Sequence, residues 1–329
     1  MPSSFATQQV QLVKETSYGV TPGSPAYLRL NSFRLNASPN FATNPFAGSG
    51  LVVPSIITLD DEFVEGDAEG RAAYNDLGFV FASLFGAPTT TTPDATNAAT
   101  ARQHVWTWNG STEVSPVSYT MERGDALFAD RVTGVFFNTL SIGGGRTDGL
   151  DFGTSIIGKP QSEGATLTAG ATDVVAVPIN PTDMDVYMDN TFAAVGTTKL
   201  LQTYNAMLEL AERNERTRPI NSTKSSDGLV QAADQEHTLD LSMAVDAVSK
   251  ALFAAIRAGT SKAVQIKWTG PTIGGTTAYL LKIDTMLFFT GAAYEEYNNL
   301  NTLTMNTRIG RDASANCLRI TLVNTQATF

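Results

Sequence analysis

Residues 31–45 read NSFRLNASPNFATNP, and residues 205–219, which lie 174 positions further along the chain, read NAMLELAERNERTRP. Five of these fifteen positions are identical, whereas about one identity is expected by chance. The identical pairs are Asn31/Asn205, Ala37/Ala211, Asn40/Asn214, Thr43/Thr217 and Pro45/Pro219. The same offset aligns two pairs of carboxylates, Asp60 with Asp234 and Glu62 with Glu236. We therefore interpret the chain as two copies of one structural unit.

The similarity between the two copies continues toward the C-terminus at smaller offsets. VSYTM at 117–121 faces VQIKW at 264–268, and NTLSIGGG at 138–145 faces DTMLFFTG at 284–291. The order of elements is the same in both copies: long loop, strand, helix, strand and paired strands. The sequence therefore predicts two homologous domains, residues 1–172 and 173–329, joined near the polar stretch 161–173.

The composition of both copies is typical of β-sheet. Thr is abundant and occurs with Val, Ile, Phe and Tyr in short alternating runs bounded by Gly, Asn and Pro. The predicted strands are 26–35, 55–64, 115–122, 131–142, 150–158, 263–269, 278–289, 300–310 and 317–324. Two segments, 76–86 and 246–259, are predicted as helices that pack on a sheet, because each carries an apolar stripe at helical spacing, opens near an Asp and ends at a Gly.

Each copy also carries a long excursion between two strands, residues 36–54 in the first and 213–231 in the second. Loops of this length without structure of their own are uncommon in compact domains. They could be tolerated surface insertions, but their equivalent positions in both copies favour a role in contacts. The candidate contact residues are Asn40, Phe41, Asn44, Phe46, Arg213, Glu215, Arg216 and Arg218.

Charge and residue usage exclude several classes of function. The chain has 22 Lys and Arg, 32 Asp and Glu, and a formal net charge of −10, which argues against a static nucleic-acid binder. One Cys cannot form an internal disulfide, and two His leave little material for a zinc site. The N-terminus lacks the pattern of a signal peptide, and no run is apolar enough for a membrane span, so we expect neither.

No motif for catalysis or cofactor binding stands out. The acidic cluster between Asp60 and Glu69 lacks the spacing of a calcium loop, and in a strand its carboxylates alternate between faces. Gly143–Gly145 does not lead into a helix with a phosphate-binding Lys. Neither His104 nor His237 lies in the context of a catalytic base. We therefore expect no enzyme activity, no metal and no cofactor.

Several stretches together resemble the major tail tube protein of bacteriophages with long, non-contractile tails (siphophages). They are QLVKETSYGVTPG, YLRLNSFRLNASPNF, LGFVFASLFG, SYTMERG, VTGVFFNTLSIGG and LDFGTSIIGK. The resemblance covers residues 8–159 best and returns, weaker, over 184–311. The chain departs from most of that family in carrying two copies, and is similar to tail tubes in which three tandem-domain chains imitate a ring of six.

The resemblance implies a mainly β fold, with two tandem β-sandwich or partial-barrel domains that each have one flanking helix and a long inter-strand loop. It also implies a structural virion protein whose pseudo-hexameric, trimeric rings stack into a tube that conducts DNA during ejection. The N-terminal arm, residues 1–13, and the two excursions would join successive rings. Acids would line the lumen so that DNA slides without binding, and the candidates are Asp60, Glu62, Asp234 and Glu236.

The expected partners are further copies of the chain, the tape measure protein, and the tail terminator and distal tail proteins, with double-stranded DNA in passage and no membrane. The expected location is the virion tail tube, after assembly in the host cytoplasm. A carbohydrate-binding or adhesin-like β-sandwich module is the alternative, and its stacking surfaces would be Trp106, Trp108 and Trp268.

Overall fold

A computed structural model describes residues 8–20, 23, 25–44, 56–125, 127–145, 149–217, 225, 228–232, 235–297 and 300–329. The fold is mainly β, as predicted. The strands of the first half are β1 Gln9–Lys14, β2 Ala26–Tyr27, β3 Ser32–Asn44, β4 Ile56–Arg71, β5 Thr89–Thr91, β6 Arg102–Trp108, β7 Tyr119–Gly124, β8 Ala129–Phe137, β9 Leu140–Gly145 and β10 Asp151–Gly158. Those of the second half are β11 Met184–Asp189, β12 Lys199–Leu200, β13 Thr203–Leu210, β14 Asn214–Thr217, β15 Gly228–Gln231, β16 Thr238–Ala244, β17 Lys262–Gly274, β18 Thr277–Tyr297, β19 Leu300–Ile309 and β20 Leu318–Asn324.

Both predicted helices are present, α1 over Leu77–Phe85 and α2 over Ala247–Arg257. Asp246 caps α2 as expected, because its side chain accepts the Ser249 backbone N–H at 2.8 Å while the Ser249 hydroxyl accepts the Asp246 N–H at 2.7 Å. Asp76 precedes α1 but makes no such bond. Gly86 and Gly259 end the helices with φ of 78° and 65°, a left-handed backbone conformation that glycine adopts without strain.

The two halves pair their strands in the same order. In the first half the neighbours run β1, β7, β8, β10, β4 and β3. In the second half they run β11, β17, β18, β19, β16 and β13, again all antiparallel. In each half the helix follows the hairpin at the end of this order: α1 follows β3–β4, and α2 follows β13–β16. The two halves therefore share one topology.

The pairing shifts the sequence alignment of the two halves by one residue. At the predicted offset of 174, buried Phe33 would match half-buried Met207 and exposed Arg34 would match buried Leu208. In the structure Phe33 faces Ala68 on β4, and Ala206 faces Leu241 on β16. The two residues of each pair are separated by the same number of positions along the chain. Ala206 is therefore the equivalent of Phe33. A slip of one residue exchanges the two faces of a strand, which identities in a polar segment do not detect.

The excursions predicted as loops are hairpins over their described residues. β3 continues to Asn44 and pairs with β4 from Ile56 onward, so the first excursion extends the β3–β4 hairpin. In the second, β14 pairs with β15. Strand pairing satisfies the backbone N–H and C=O groups that a long irregular loop would leave to water.

The two halves are joined by strand pairing and by one apolar core. β9 of the first half pairs with β13 of the second, and β20 pairs with β6. Buried residues from both halves, such as Phe81, Trp106, Leu208 and Leu241, belong to the same cluster. β18 pairs with β17 and β20 in its first part and with β19 alone in its last part, so it passes from one layer of the fold to the other.

Candidate functional site

One continuous sheet crosses both halves of the molecule. Eight strands follow one another in the order β3, β4, β10, β9, β13, β16, β19 and β18, and all neighbours are antiparallel. One face of this sheet is apolar and buried in the core; it includes Phe33, Ala68, Phe152, Ile142, Leu208, Leu241 and Met305. The opposite face is the candidate functional surface, which we term the acidic face.

Residues that oppose one another on neighbouring strands point to the same side of a sheet. One row across the acidic face consists of Ser32, Glu69, Gly153, Ser141, Glu209 and Thr238. The next row consists of Arg71, Asp151, Gly143, Met207 and Asp240. Carboxylates of both halves therefore share one surface, although they are far apart in sequence.

Apart from Asp61, which is buried at 5% exposure, the acids that the strand pairing assigns to this face are Glu65, Asp67, Glu69, Asp151, Glu209, Asp240 and Glu295. All are exposed except Asp240, which is half-buried and accepts the Thr307 backbone N–H at 3.2 Å. The basic side chains on the described part of this face are Arg34, Arg71 and Arg308. Acids outnumber bases, so the face carries a negative potential.

The four acids predicted to line a lumen lie mostly away from these rows. Asp60 is exposed at a bulge in the distal part of β4, and Glu62 is half-buried opposite Pro39. Glu236 is exposed just before β16, and its carboxylate lies 3.0 Å from the guanidinium of Arg308, at the margin of the acidic face. Asp234 lies outside the described residues.

The distal part of the β3–β4 hairpin presents an exposed apolar patch. Phe41 pairs with Leu59 and Thr43 pairs with Ile57, so these side chains share one face. Phe41 is 54% exposed and Ile57 is 64% exposed. Exposed apolar side chains that lie together typically mark a contact surface.

The structure describes only some of the other predicted contact residues of the first excursion. Asn40 is exposed beside this apolar patch, and Asn44 ends β3, with a side chain outside the described set. Phe46 lies outside the described residues. Of the predicted N-terminal arm, residues 1–7 are not described, and most of the rest is β1, paired with β2 and β7.

Arg213, expected on an exposed loop, is instead one of the most buried side chains, at 1% exposure. Its Nε donates a hydrogen bond of 3.0 Å to the carbonyl of Leu84 at the end of α1. Its guanidinium stacks over the rings of Phe85 and Trp108, 4.4 and 4.5 Å from their centroids. Burial lowers the pKa of Arg213 to about 10. The side chain therefore joins the second half to α1 inside the chain.

The remaining contact candidates belong to the β14–β15 hairpin. Arg216 is largely buried against the first hairpin, with its guanidinium 3.3 Å from the Asp61 carboxylate and over the ring of Phe63. Glu215, on the other side of β14, is exposed. Arg218 lies outside the described residues. The two hairpins thus lie against each other.

Both histidines are buried structural residues. His104 is hydrogen-bonded to the Thr90 hydroxyl at 2.9 Å and to the Gln326 carbonyl at 3.0 Å, and burial lowers its pKa. His237 accepts the Ala211 N–H at 3.1 Å. Burial, and then the positive charges of Arg213 and Arg308, lower its pKa to about 3. Neither ring is placed to act on a substrate.

The tryptophans of the carbohydrate-binding alternative are also buried. Trp106, Trp108 and Trp268 are 3%, 9% and 1% exposed, so they cannot form a stacking platform for a sugar. Within the described residues no group of three or more His, Cys, Asp or Glu is arranged to hold a metal ion. No helix in that part of the chain is long and apolar enough to cross a membrane.

Over the described residues the fold is mainly β, with an extended sheet that has one buried apolar face and one acidic face. Residues 6–316 match the family model of the phage tail tube protein, and the chain belongs to that family. A search of curated proteins gives no match. The protein is therefore a structural protein of the bacteriophage tail, in which members of the family assemble into a tube.

Proposed function

We propose that this protein is the major tail tube subunit of a siphophage and forms trimeric, pseudo-hexameric rings that stack into the DNA conduit. The observation that carries this proposal is the shared strand order of the two halves, joined by the β9–β13 pairing. Residues 1–172 and 173–329 would act as two ring units in one chain. Three such chains supply six units, which is the number that a sixfold ring of single-domain subunits would use.

The acidic face would line the lumen. DNA phosphates are repelled by a surface with excess carboxylates, so the duplex passes without being held. Glu69 and Glu209, which lie in one row across the two halves, are the central lumen acids of this proposal, and Glu236 lies at its margin. Asp60, Glu62 and Asp234 remain predictions as lumen residues.

The β3–β4 hairpin would reach the next ring through Phe41 and Ile57, with Asn40 and Glu215 nearby. Arg213 is left out because it is buried within the chain. Asn44, Phe46 and Arg218 remain predictions as contact residues. The tape measure protein would occupy the lumen before DNA, and terminator and distal tail proteins would close the ends, after assembly in the host cytoplasm.

Electron microscopy of the purified protein tests the assembly. We expect hollow tubes, and we expect the double variant Phe41→Ser/Ile57→Ser to give single rings or short stacks with unchanged protomer stability, because both side chains are exposed. Thr58→Ala, on the other face of the same hairpin, is the matched control and should give full-length tubes. Protomers that never assemble would overturn the proposal, and full-length tubes from the double variant would overturn the role of the hairpin.

The lumen assignment has its own test. Phage carrying Glu69→Lys/Glu209→Lys should assemble tails but eject DNA poorly, because the new charges attract phosphate. Glu163→Lys, at an exposed position in the segment between the halves, is the control with a single charge reversal and should eject normally. Normal ejection from the double variant would contradict the assignment.

A further inference from the structure

The tip of the β7–β8 hairpin presents two exposed apolar side chains, Leu127 and Phe128, which we term the aromatic tip. Leu127 is 74% exposed and Phe128 is 51% exposed. The Asp125 carboxylate accepts the backbone N–H groups of both residues, at 2.8 and 3.0 Å. The Asp125 N–H donates to the Phe128 carbonyl at 2.8 Å. The turn therefore fixes the backbone of two apolar residues that the chain leaves exposed, as at a contact surface.

The strand pairing identifies the equivalent of Phe128 in the second half. Three buried residues oppose one another across the first three strands of each half: Leu12, Met121 and Val132 in the first half, and Val186, Ile266 and Ile283 in the second. Phe128 lies four residues before Val132, and Tyr279 lies four residues before Ile283. Tyr279 is therefore the equivalent of Phe128.

Tyr279 packs on the first half of the chain, at the junction between β4 and α1, which we term the α1 corner. Its ring lies 5.6 Å from that of Tyr74, which is fully buried. Gly270 on the neighbouring strand β17 also lies against Tyr74, so closely that a Cβ there would be 2.7 Å from the Tyr74 ring. The β17–β18 hairpin of the second half thus covers the α1 corner of the first.

The equivalent corner of the second half is the junction between β16 and α2. Ala72 and Val245 have equivalent places there, because each donates its backbone N–H to the start of the neighbouring strand β10 or β19, at 2.8 and 3.1 Å. The glycines that end α1 and α2 follow these two residues at the same distance along the chain. Tyr74 and Ala247, two residues further on, are therefore equivalent.

The two corners differ in what fills them. Tyr74 is buried under Tyr279, whereas Ala247 is exposed. A cleft of about 150 Å³ lies next to Ala247, and its walls include Leu201 and Met243. Leu201 is 86% exposed. A cavity of about this volume admits a benzene ring. The corner of the second half, which we term the α2 corner, is thus open within the described residues.

We propose that the aromatic tip of one copy docks on the α2 corner of a second copy, with the Phe128 ring in the cleft beside Ala247 and Leu127 against Leu201. Phe128 then covers the α2 corner as Tyr279 covers the α1 corner within the chain. The contact rests on the proposed ring, in which the first half of one copy follows the second half of another. It joins different surfaces of identical chains, and such heterologous contacts form a ring when their rotation closes.

The sizes of the side chains on the two surfaces are complementary. At the α1 corner a large residue, Tyr74, occupies the space under the tip of the second half. At the α2 corner Ala247 leaves that space empty, so an incoming Phe128 ring fills a cleft and displaces no core residue. Phe128, Leu127 and Leu201 are all exposed in the single chain, and docking removes their apolar surface from water.

Photocrosslinking from position 128 tests the contact. Rings assembled with p-benzoylphenylalanine in place of Phe128 should crosslink on irradiation, and the crosslinked peptides should contain residues 199–202 or 243–250. On a denaturing gel we expect dimers and trimers and no larger species, because a closed ring of three has three contacts. The same photoreactive residue in place of Val20, which is also 51% exposed, is the control and should give no crosslink to these peptides.

The outcomes separate this contact from the proposed function. Tubes that assemble without crosslinks from position 128, or with crosslinks only to other residues or to another virion protein, would overturn the contact and leave the tube function standing. A chain that forms no rings at all would overturn the proposed function itself.

An exchange of side chains tests the same contact without a photoreactive group. Phe128→Ala should raise the protein concentration needed for assembly roughly tenfold, because an aromatic anchor is lost, and should leave the denaturation midpoint unchanged. The double variant Phe128→Ala/Ala247→Phe should recover most of the assembly, because the ring then fills the cleft from the other side.

Phe128→Ala/Ala258→Phe is the matched control for this rescue. Ala258 is also exposed but lies at the other end of α2, roughly 16 Å away at 1.5 Å per residue, and its replacement should give no rescue. Assembly of Phe128→Ala at the parent concentration, or equal rescue by the two second changes, would overturn the docking.

Discussion

The two helices occupy equivalent places in the two repeats but differ in their surroundings. Every residue of α1 is buried, and its sequence LGFVFASLF is apolar on all sides. α2 is amphipathic, with Lys250, Ala251 and Ala254 exposed. The difference follows from what covers α1: Arg213 of the second half donates a hydrogen bond to its end, and the ring of Phe329 packs against Phe79.

This comparison indicates that the first half completes its surface with residues of the second. Arg213, at the corner between β13 and β14, holds the end of α1. Its equivalent in the first hairpin is Asn40, which is exposed. The same residue position is therefore buried against a helix in one half and exposed in the other.

The largest effect is expected from removing the internal contact. Arg213→Ala loses the hydrogen bond to Leu84 and leaves a cavity between two rings, so we expect the free energy of unfolding to fall by about 3 kcal/mol. Asn40→Ala, at the equivalent exposed position, should change it by less than about 0.5 kcal/mol. Chemical denaturation of the two variants measures both changes in the free energy of unfolding. Equal losses would contradict a difference between the Arg213 and Asn40 positions.

The stability of the region around Arg213, which includes His237, should decrease in acid. The pKa of His237 is about 3 in the folded chain, against an ordinary value near 6.5, because burial and the nearby Arg213 disfavour its charged form. Between these pH values the unfolded chain binds a proton that the folded chain does not, so stability falls as pH decreases from about 6.5 toward 3. At about 1.4 kcal/mol per pH unit, the loss is a few kcal/mol.

Denaturation at pH 7 and pH 4 measures that loss. His237→Gln should lose less stability between these values than the parent chain. His104, whose pKa is also lowered, is unchanged in both proteins and supplies the same background. If the variant lost as much stability between pH 7 and pH 4 as the parent chain, His237 would not be the cause of the acid sensitivity.

A smaller effect, of opposite sign in the two repeats, is expected at the helix N-termini. Asp246→Ala breaks the capping box of α2 and should cost about 1 kcal/mol. Asp76 makes no cap bond, and burial raises its pKa to about 6, above the ordinary value of 3.8. A raised carboxyl pKa means that stability is lost as pH rises from about 4 to 6, so Asp76→Asn should stabilise the chain at pH 8.

These two variants are measured by the same denaturation experiment at pH 8. At pH 4, where the Asp76 carboxyl is mostly protonated in the folded chain, Asp76→Asn should have little effect. Destabilisation at both pH values would indicate that the Asp76 charge stabilises the fold through Arg29, whose guanidinium lies 3.7 Å away.

Much of the fold could be predicted from sequence because its signals are local. The caps and apolar stripes placed both helices to within two residues, and alternating Val, Ile and Thr located all nine predicted strands at least in part. The missed strands β13 and β14 each contain Asn and Glu, which are uncommon in strands. Their pairing comes from the partner strand, which no local pattern reveals.

The candidate site could be predicted only coarsely for the same reason. Glu69 and Glu209 share a row across four neighbouring strands, with β10 and β9 between theirs, a relation that depends on register. Asp60 and Glu62 were selected by an alignment that is one residue out of step with the strand pairing. Arg213 was placed on a surface because it stands in a charged run, whereas its burial depends on Phe85, Trp108 and the end of α1.

The central claim is that one chain supplies two equivalent units of a ring. Native mass spectrometry of isolated rings, combined with electron microscopy of the same sample, tests it most directly. The account predicts a mass of three chains in a ring whose image shows six similar lobes. Six chains in a ring of six lobes, or rings of three lobes in which the two halves differ in distance from the axis, would contradict it.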